Sequence, residues 1–191
     1  MITQKAILSY PVLKDPQQNT DDNGKPVGKP KWSAVLIHPE GTNLQELEAA
    51  IVAAADKQFP GKGAKMLASG KLRSPLRTDI EEKPGYPDGC TFFSARSTRR
   101  PGLVYPFADA SGRPAKVEDD KIEEVFYPGA IVRADVTFFY YDKKCNKGVG
   151  ASLNNLQKLA DGERMDGRMA AEKAFDVDPN AVAPDLSDLD S

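Results

Sequence analysis

The stretch TFFSARSTRRP, residues 91–101, sets Arg96, Arg99 and Arg100 within five positions, just after Phe92 and Phe93. Its β-branched, aromatic and small residues suit a strand. The nearest acids along the chain are Asp88 and Asp109, so the sequence offers these arginines no close partner. A second stretch, IVRADVTFFYY at 131–141, repeats the mixture. Side chains alternate along a strand. Val132, Ala134, Val136, Phe138 and Tyr140 therefore form a core face. Ile131, Arg133, Asp135, Thr137, Phe139 and Tyr141 form the other, which should be at least partly wet. By the same count Phe92, Ser94, Arg96, Thr98 and Arg100 share one face, while Phe93, Ala95 and Ser97 pack inward. Arginine and lysine neutralise phosphates whatever the base sequence. Exposed rings stack on unpaired bases, because every base has a π face. Cations beside rings thus fit a single-stranded nucleic acid. The bland alternative is a second small core of Phe92, Phe139 and Tyr141 under snorkelling arginines.

Other chemistries find little support. His38 is the only histidine and ends an apolar strand, which suits a structural role. One histidine and two distant cysteines, Cys90 and Cys145, do not make a four-ligand zinc site. The glycine- and lysine-rich GKGAK at 61–65 lacks the spacing and the Ser/Thr of a phosphate-cradling loop, and GVGASL at 148–153 is too short for a dinucleotide fingerprint. Glu118, Asp119 and Asp120 could hold a divalent ion, but acids beside lysines usually just face solvent. We expect no catalytic residues, no metal and no cofactor.

Charge is segregated. The 191 residues carry a net charge of −2, yet from residue 174 onward there are five Asp and no Lys or Arg, which leaves 26 basic against 23 acidic residues, or +3, for the body. Residues 57–78 hold six basic residues and no acid. A basic body with an acidic tail suggests an anionic ligand and a separate role for the tail. No apolar run approaches a membrane span, and MITQKAILSYPVL lacks the regions of a signal peptide. A cytoplasmic protein without membrane contact is expected, with two reduced, structural thiols.

The elements that must position these residues read as follows. AILSYPVL is a first strand, and residues 17–31 are a loop or hairpin tip. KWSAVLIH at 31–38 is a second strand. TNLQELEAAIVAAADKQF is helical, with Leu44, Leu47, Ile51 and Ala54/Ala55 at helical spacing and Thr42 with Gln45 as a capping box. Residues 57–90 are too irregular for a long element, and long loops tend to be functional. Strands follow at about 90–98 and 129–141, joined by a polar stretch, and a last strand covers 148–159. Residues 161–175 read as a weak helix or loop. One β-dominated domain over 1–175 with a tail over 176–191 is expected.

KWSAVLIHP (31–39), SPLRTDIEEKPGYPDGCTFFSARSTRRPGLV (74–104) and residues 127–176, with their Gly-led strand, Gly-Val, LNNLQ and DGE, resemble a family of tailed-phage single-stranded DNA-binding proteins with an OB fold. The resemblance spans nearly the whole chain in order. It implies a mainly β, five-stranded OB-type barrel with one main helix, a long basic loop and a disordered acidic C-terminal tail. It implies sequence-independent binding of single-stranded DNA during phage replication, recombination or repair, and replication or recombination proteins as partners of the tail. It leaves room for a homo-oligomer. Residue roles come from residue type instead. The phosphate-binding candidates are Lys31, Lys65, Lys71, Arg73, Arg77, Arg96, Arg99, Arg100 and Arg133. The stacking candidates are Trp32, Phe92, Phe139 and Tyr141. Asp185, Leu186, Asp188, Leu189 and Asp190 are the partner-binding tail. The rival readings are an adaptor or inhibitor whose basic face binds an acidic protein, and a metal-dependent nuclease using Glu118, Asp119 and Asp120.

Overall fold

The computed structural model describes residues 1–21, 23–81, 83, 85–143 and 146–165. Seven strands and three helices follow one another: β1 (Ala6–Thr20), β2 (Pro26–His38), α1 (Gln45–Asp56), α2 (Gly63–Ala68), β3 (Thr91–Ser97), β4 (Gly102–Ala108), β5 (Pro114–Lys116), α3 (Ile122–Val125), β6 (Ile131–Lys143) and β7 (Asn146–Ala160). They make one sheet in the order β3-β2-β1-β6-β7-β4-β5. Ala95 of β3 also pairs in parallel with Ala151 of β7. That contact closes a ring of five strands, β1-β2-β3-β7-β6, the OB-type arrangement expected from the sequence. The remaining strands β4 and β5 extend from the outside of β7.

The ring closes because its strands alternate faithfully. Leu8, Ala34, Leu36, Phe93, Ala95, Val132, Ala134, Val136, Phe138, Leu153 and Leu156 are all buried in one cluster. The predicted inward faces of β3 and β6 are those observed. Helix α1 turns Leu47, Ile51, Ala54 and Ala55 onto the same core. A second, smaller cluster of Ile37, Tyr86, Cys90 and Phe92 lies on the other side of β2 and β3.

Three local expectations need correction, and that of no long element over residues 57–90 holds. Residues 17–31 are mostly strand, since β1 and β2 continue as a hairpin arm whose last pairs are Asn19 with Val27 and Thr20 with Pro26. Turn-forming residues mislead there because a strand edge in water tolerates them. The Thr42–Gln45 capping box does not form. The Asn43 side chain accepts the Gln45 amide at 3.1 Å, and the Thr42 hydroxyl instead donates to the Pro39 carbonyl at 2.7 Å. Residues 57–90 contain α2 and two short bridges. The polar stretch after β3 hides β4, β5 and α3. Residues 161–165 have no regular structure, and the rest of the stretch to 175, like the whole of 176–191, lies outside the described residues.

The LNNLQ segment explains how β4 joins the ring. Asn154 donates to Thr137 Oγ1 at 2.9 Å, Asn155 to Asp135 Oδ2 at 3.0 Å, and Gln157 to the Tyr105 carbonyl at 3.1 Å. A Cβ at Gly102 would collide with the Asn155 side-chain oxygen, so any other residue there would have to displace that amide from its seat.

His38 is structural, as expected, and it has a consequence. It is wholly buried, stacked on Phe93 with ring centroids 6.0 Å apart. Among the described residues neither ring nitrogen has a hydrogen-bond partner. Burial pushes its pKa below the ordinary value, opposed only in part by the Lys5 backbone, which lies outside hydrogen-bond geometry. The folded state therefore needs the neutral ring, whereas the unfolded chain takes up a proton below about pH 6.5. Stability should fall as pH drops through that value, by up to about 1.4 kcal/mol per pH unit until the folded pKa is reached. Thermal melts at pH 7, 6 and 5 check this. The fall should flatten in His38→Leu, and an equally steep fall in that variant would remove His38 as its cause.

Candidate nucleic-acid interface

The outer faces of β2 and β3 carry the first part of the site. Lys31, Ser33 and Val35 point out from β2, while Ala34 and Leu36 point in. Across the pair, Ser33 sits opposite Arg96 and Val35 opposite Ser94.

The basic loop supplies the wall. Arg73 exchanges backbone hydrogen bonds with β7, its amide to the Lys147 carbonyl and its carbonyl from the Val149 amide, both at 3.0 Å. Four residues on, Arg77 exchanges a pair with Phe92 of β3, both at 2.9 Å. Residues 73–77 thus strap across the closure where β3 meets β7. The strap holds its cations over a seam that is otherwise a single bridge.

On the other side of the seam, two rings lie across two glycines. Phe139 of β6 is paired with Gly150 of β7, and Tyr141 with Gly148. A Cβ on Gly150 would lie 3.0 Å from the Phe139 ring, and one on Gly148 would lie 3.0 Å from the Tyr141 hydroxyl and 2.6 Å from the Arg73 carbonyl. Glycine lets the tip of the Phe139 ring and the Tyr141 hydroxyl lie close on β7, on the face of β6 opposite the core. Phe139 is accordingly 46% exposed.

These parts line one trough: Lys31, Arg73, Arg77, Arg96, Arg99, Arg100 and Lys143 around Phe139, Tyr141 and the 149–154 backbone. It runs into a second trough under the hairpin arm, lined by Lys29, Lys31, Arg77, Lys83 and Arg96 with Tyr10, Val27, Tyr86 and Phe92. Lys31, Arg77, Ser94 and Arg96 line both, and among the described residues no carboxylate lines either.

Two groove arginines are already paired, one of them with an acid far along the chain. Arg100 makes a two-pronged bond to Asp119, at 2.7 and 3.0 Å, which raises the pKa of the guanidinium and lowers that of the carboxyl. Asp119 is nineteen positions away, brought back by the β4–β5 excursion. It is therefore tied up in an ion pair rather than held with Glu118 and Asp120. Arg77 is held by Asp79, whose carboxyl it pushes below the usual range. Among the described residues, Lys31, Arg73, Arg96 and Arg99 form no ion pair.

Several candidates fall outside the groove or lose their role. Phe92 is only 4% exposed, edge-on to Tyr86 at 5.2 Å, with the Arg77 guanidinium 5.4 Å from its ring centre. It is a core plank under the trough, because residues 77–92 fold over the face that strand alternation left open. Trp32 alternates to the inner side of β2 and is half-buried, its indole N–H donating to the Lys14 carbonyl at 3.4 Å. Arg133 sits at the far end of the Phe139 face, donating to Gln157 Oε1 at 2.6 Å and lining neither trough. Lys65 and Lys71 are exposed and also line neither. The tail candidates Asp185, Leu186, Asp188, Leu189 and Asp190 lie outside the described residues.

Sequence reading missed Lys29, Lys83 and Lys143, which lie in stretches read as loops or at a strand end, and Tyr10, read only as part of the first strand. The GVG at 148–150 was the available signal for the platform, since glycines in a strand mark a close approach.

A ring of five strands with a basic, ring-bearing trough across it is the architecture of OB-type proteins that bind single-stranded nucleic acid. Residues 1–186 match the family model of the ssDNA-binding protein of Enterobacter phage Enc34, and the chain belongs to that family. Protein p50 of Acyrthosiphon pisum secondary endosymbiont phage 1 is 27% identical over 177 residues, covering 88% of each chain. The single-stranded DNA-binding protein of bacteriophage Enc34 solved in complex with ssDNA superimposes with a TM-score of 0.66 at 22% identity, over 86% of this chain and 88% of that one. Bacteriophage T7 gp2.5, a single-stranded DNA-binding protein, superimposes at 0.56 and 11% identity, over 96% and 97%.

Proposed function

We propose that this chain binds single-stranded DNA without sequence preference and protects it during phage DNA replication, recombination or repair in the host cytoplasm, as a binding protein rather than an enzyme. The observation that carries the reading is the basic trough, free of carboxylates among the described residues, with Phe139 and Tyr141 paired to Gly150 and Gly148. Cations along it neutralise phosphates, and the two rings receive bases that a duplex would keep stacked. A basic face for an acidic protein would need no such platforms. Titration with labelled oligo-dT, against duplex and RNA competitors, tests the proposal. Binding that duplex displaces as well as single strands would overturn it in favour of a generic anion surface.

The acidic segment 176–191 acts, in this reading, as a tethered competitor for the trough and as the recruitment element for replication or recombination proteins. Support comes from the position of Met165, which precedes Asp176 by eleven residues in the chain. Met165 donates its amide to the Pro128 carbonyl at 2.9 Å and packs on the Ile37–Tyr86–Cys90–Phe92 cluster beneath the second trough. A tethered weak ligand acts at up to about millimolar concentration. Deleting residues 177–191 should tighten oligo-dT binding about two- to tenfold at low salt, fading as salt screens the contact, and should abolish capture of the partner. Equal affinity of both forms at every salt concentration would remove the competition.

A further inference from the structure

The strand β1 breaks its register between Ser9 and Val12, where it faces Val35 and Ser33 of β2. Tyr10 sits in that break at φ 42°, a left-handed conformation that no other non-glycine residue adopts among those described. A side chain in this region is strained, and the proline that follows, Pro11, disfavours it further. Such outliers survive only where surroundings enforce them, and they gather at functional sites. The surroundings do enforce this one. Ser9 is buried, its hydroxyl accepting a hydrogen bond from Tyr86 at 3.2 Å, and Leu13 is buried in the main core. Both anchors hold only if the two residues between Ser9 and Val12 bulge outward. The bulge turns Tyr10 out of the sheet until it is 61% exposed, the most exposed of the large apolar side chains among the described residues. There it lines the second trough together with Lys29, Lys31, Arg77, Lys83 and Arg96, and also a neighbouring depression with Lys14, Asp15 and Glu123.

We propose that Tyr10 is a further base-stacking platform, placed by the bulge at the end of the DNA path remote from Phe139 and Tyr141. This rests on the proposed single-strand binding. The path then runs from the Phe139–Tyr141 platform, over the Arg96–Lys31 crossing that both troughs share, to Tyr10 beneath the hairpin arm. A single strand long enough to span both troughs uses three rings, whereas a short one is held at the Phe139 end alone. The ring face does the work, so the hydroxyl is dispensable.

The test is Tyr10→Gly and Tyr10→Phe, each titrated with a short and a long oligo-dT series beside the wild type. Glycine accepts the left-handed backbone, so Tyr10→Gly should melt at or above the wild-type temperature. It should bind long oligo-dT about 5- to 150-fold more weakly, the range of one lost base stack, and bind the shortest retained oligo-dT like the wild type. The occupied site size should shorten accordingly. Tyr10→Phe should bind both lengths like the wild type. Unchanged long-strand affinity in a folded Tyr10→Gly would overturn the third platform. So would equal losses on short and long strands. A wild type that fails to bind oligo-dT would instead sink the proposed function itself, so the two failures are distinguishable.

Discussion

Replacing Phe139 and Tyr141 together by alanine is expected to weaken oligo-dT binding by about 30-fold or more while leaving the fold intact. Each lost base stack is worth roughly 1–3 kcal/mol, so two give about 2–6 kcal/mol. The fold should survive because Phe139 rests on the sheet rather than in it, and the core of β6 is made by Val132, Ala134, Val136 and Phe138 on the opposite face. Thermal melting and far-UV circular dichroism report the fold, and fluorescence anisotropy of labelled oligo-dT reports binding. A large drop in melting temperature would mean that the two rings are structural. A stable variant that binds like the wild type would mean that bases stack elsewhere, and the Gly148 and Gly150 seats would need another explanation.

The second large effect is on salt. Single strands lose about 0.7 in log K per log salt for each phosphate neutralised. With about five phosphates engaged, the slope is about −3.5, and affinity falls on the order of 100-fold between 50 and 200 mM salt. The structure sharpens this by residue. Arg96 has no ion-pair partner among the described residues and lines both troughs, so Arg96→Gln should flatten the slope by about 0.7. Arg100 already holds Asp119, so DNA must break an ion pair to recruit it and Arg100→Gln should change the slope less. Isotherms at four or more salt concentrations supply the slopes. A flat response in the wild type would dispose of phosphate neutralisation as the driving force, and equal slopes for the two variants would dispose of the distinction between them.

Much of this molecule was legible in the chain. Alternation told the inner face of β6 from its outer face residue by residue, because a strand with one side in the core and one in water must repeat every two positions. The same arithmetic placed Phe93 and Ala95 inside β3. It also singled out Arg96, Phe139 and Tyr141, while residue type alone offered Arg73, Arg77 and Arg99, and all six line the trough. The helix was readable for the same reason at a different period, with Leu47, Ile51 and Ala54/Ala55 on one side.

What alternation could not say is what lies over a face. Phe92 had the pattern of an exposed stacker, but residues 77–92 fold back and bury it beneath Tyr86 and Arg77. Arg100 had no acid within reach along the chain, but the β4–β5 excursion returns Asp119 to it. Tyr10 read only as part of the first strand, but two fixed anchors, Ser9 and Leu13, force a bulge that turns it out. By itself the sequence determined the periodicities, the segregation of charge and hence the kind of surface this protein must own, since those depend on neighbours a few positions apart. Only the tertiary structure decided which cations share a trough, which rings stay open and which arginine is already neutralised. Those depend on contacts between residues many positions apart, set by ring closure and by the loops that cross it.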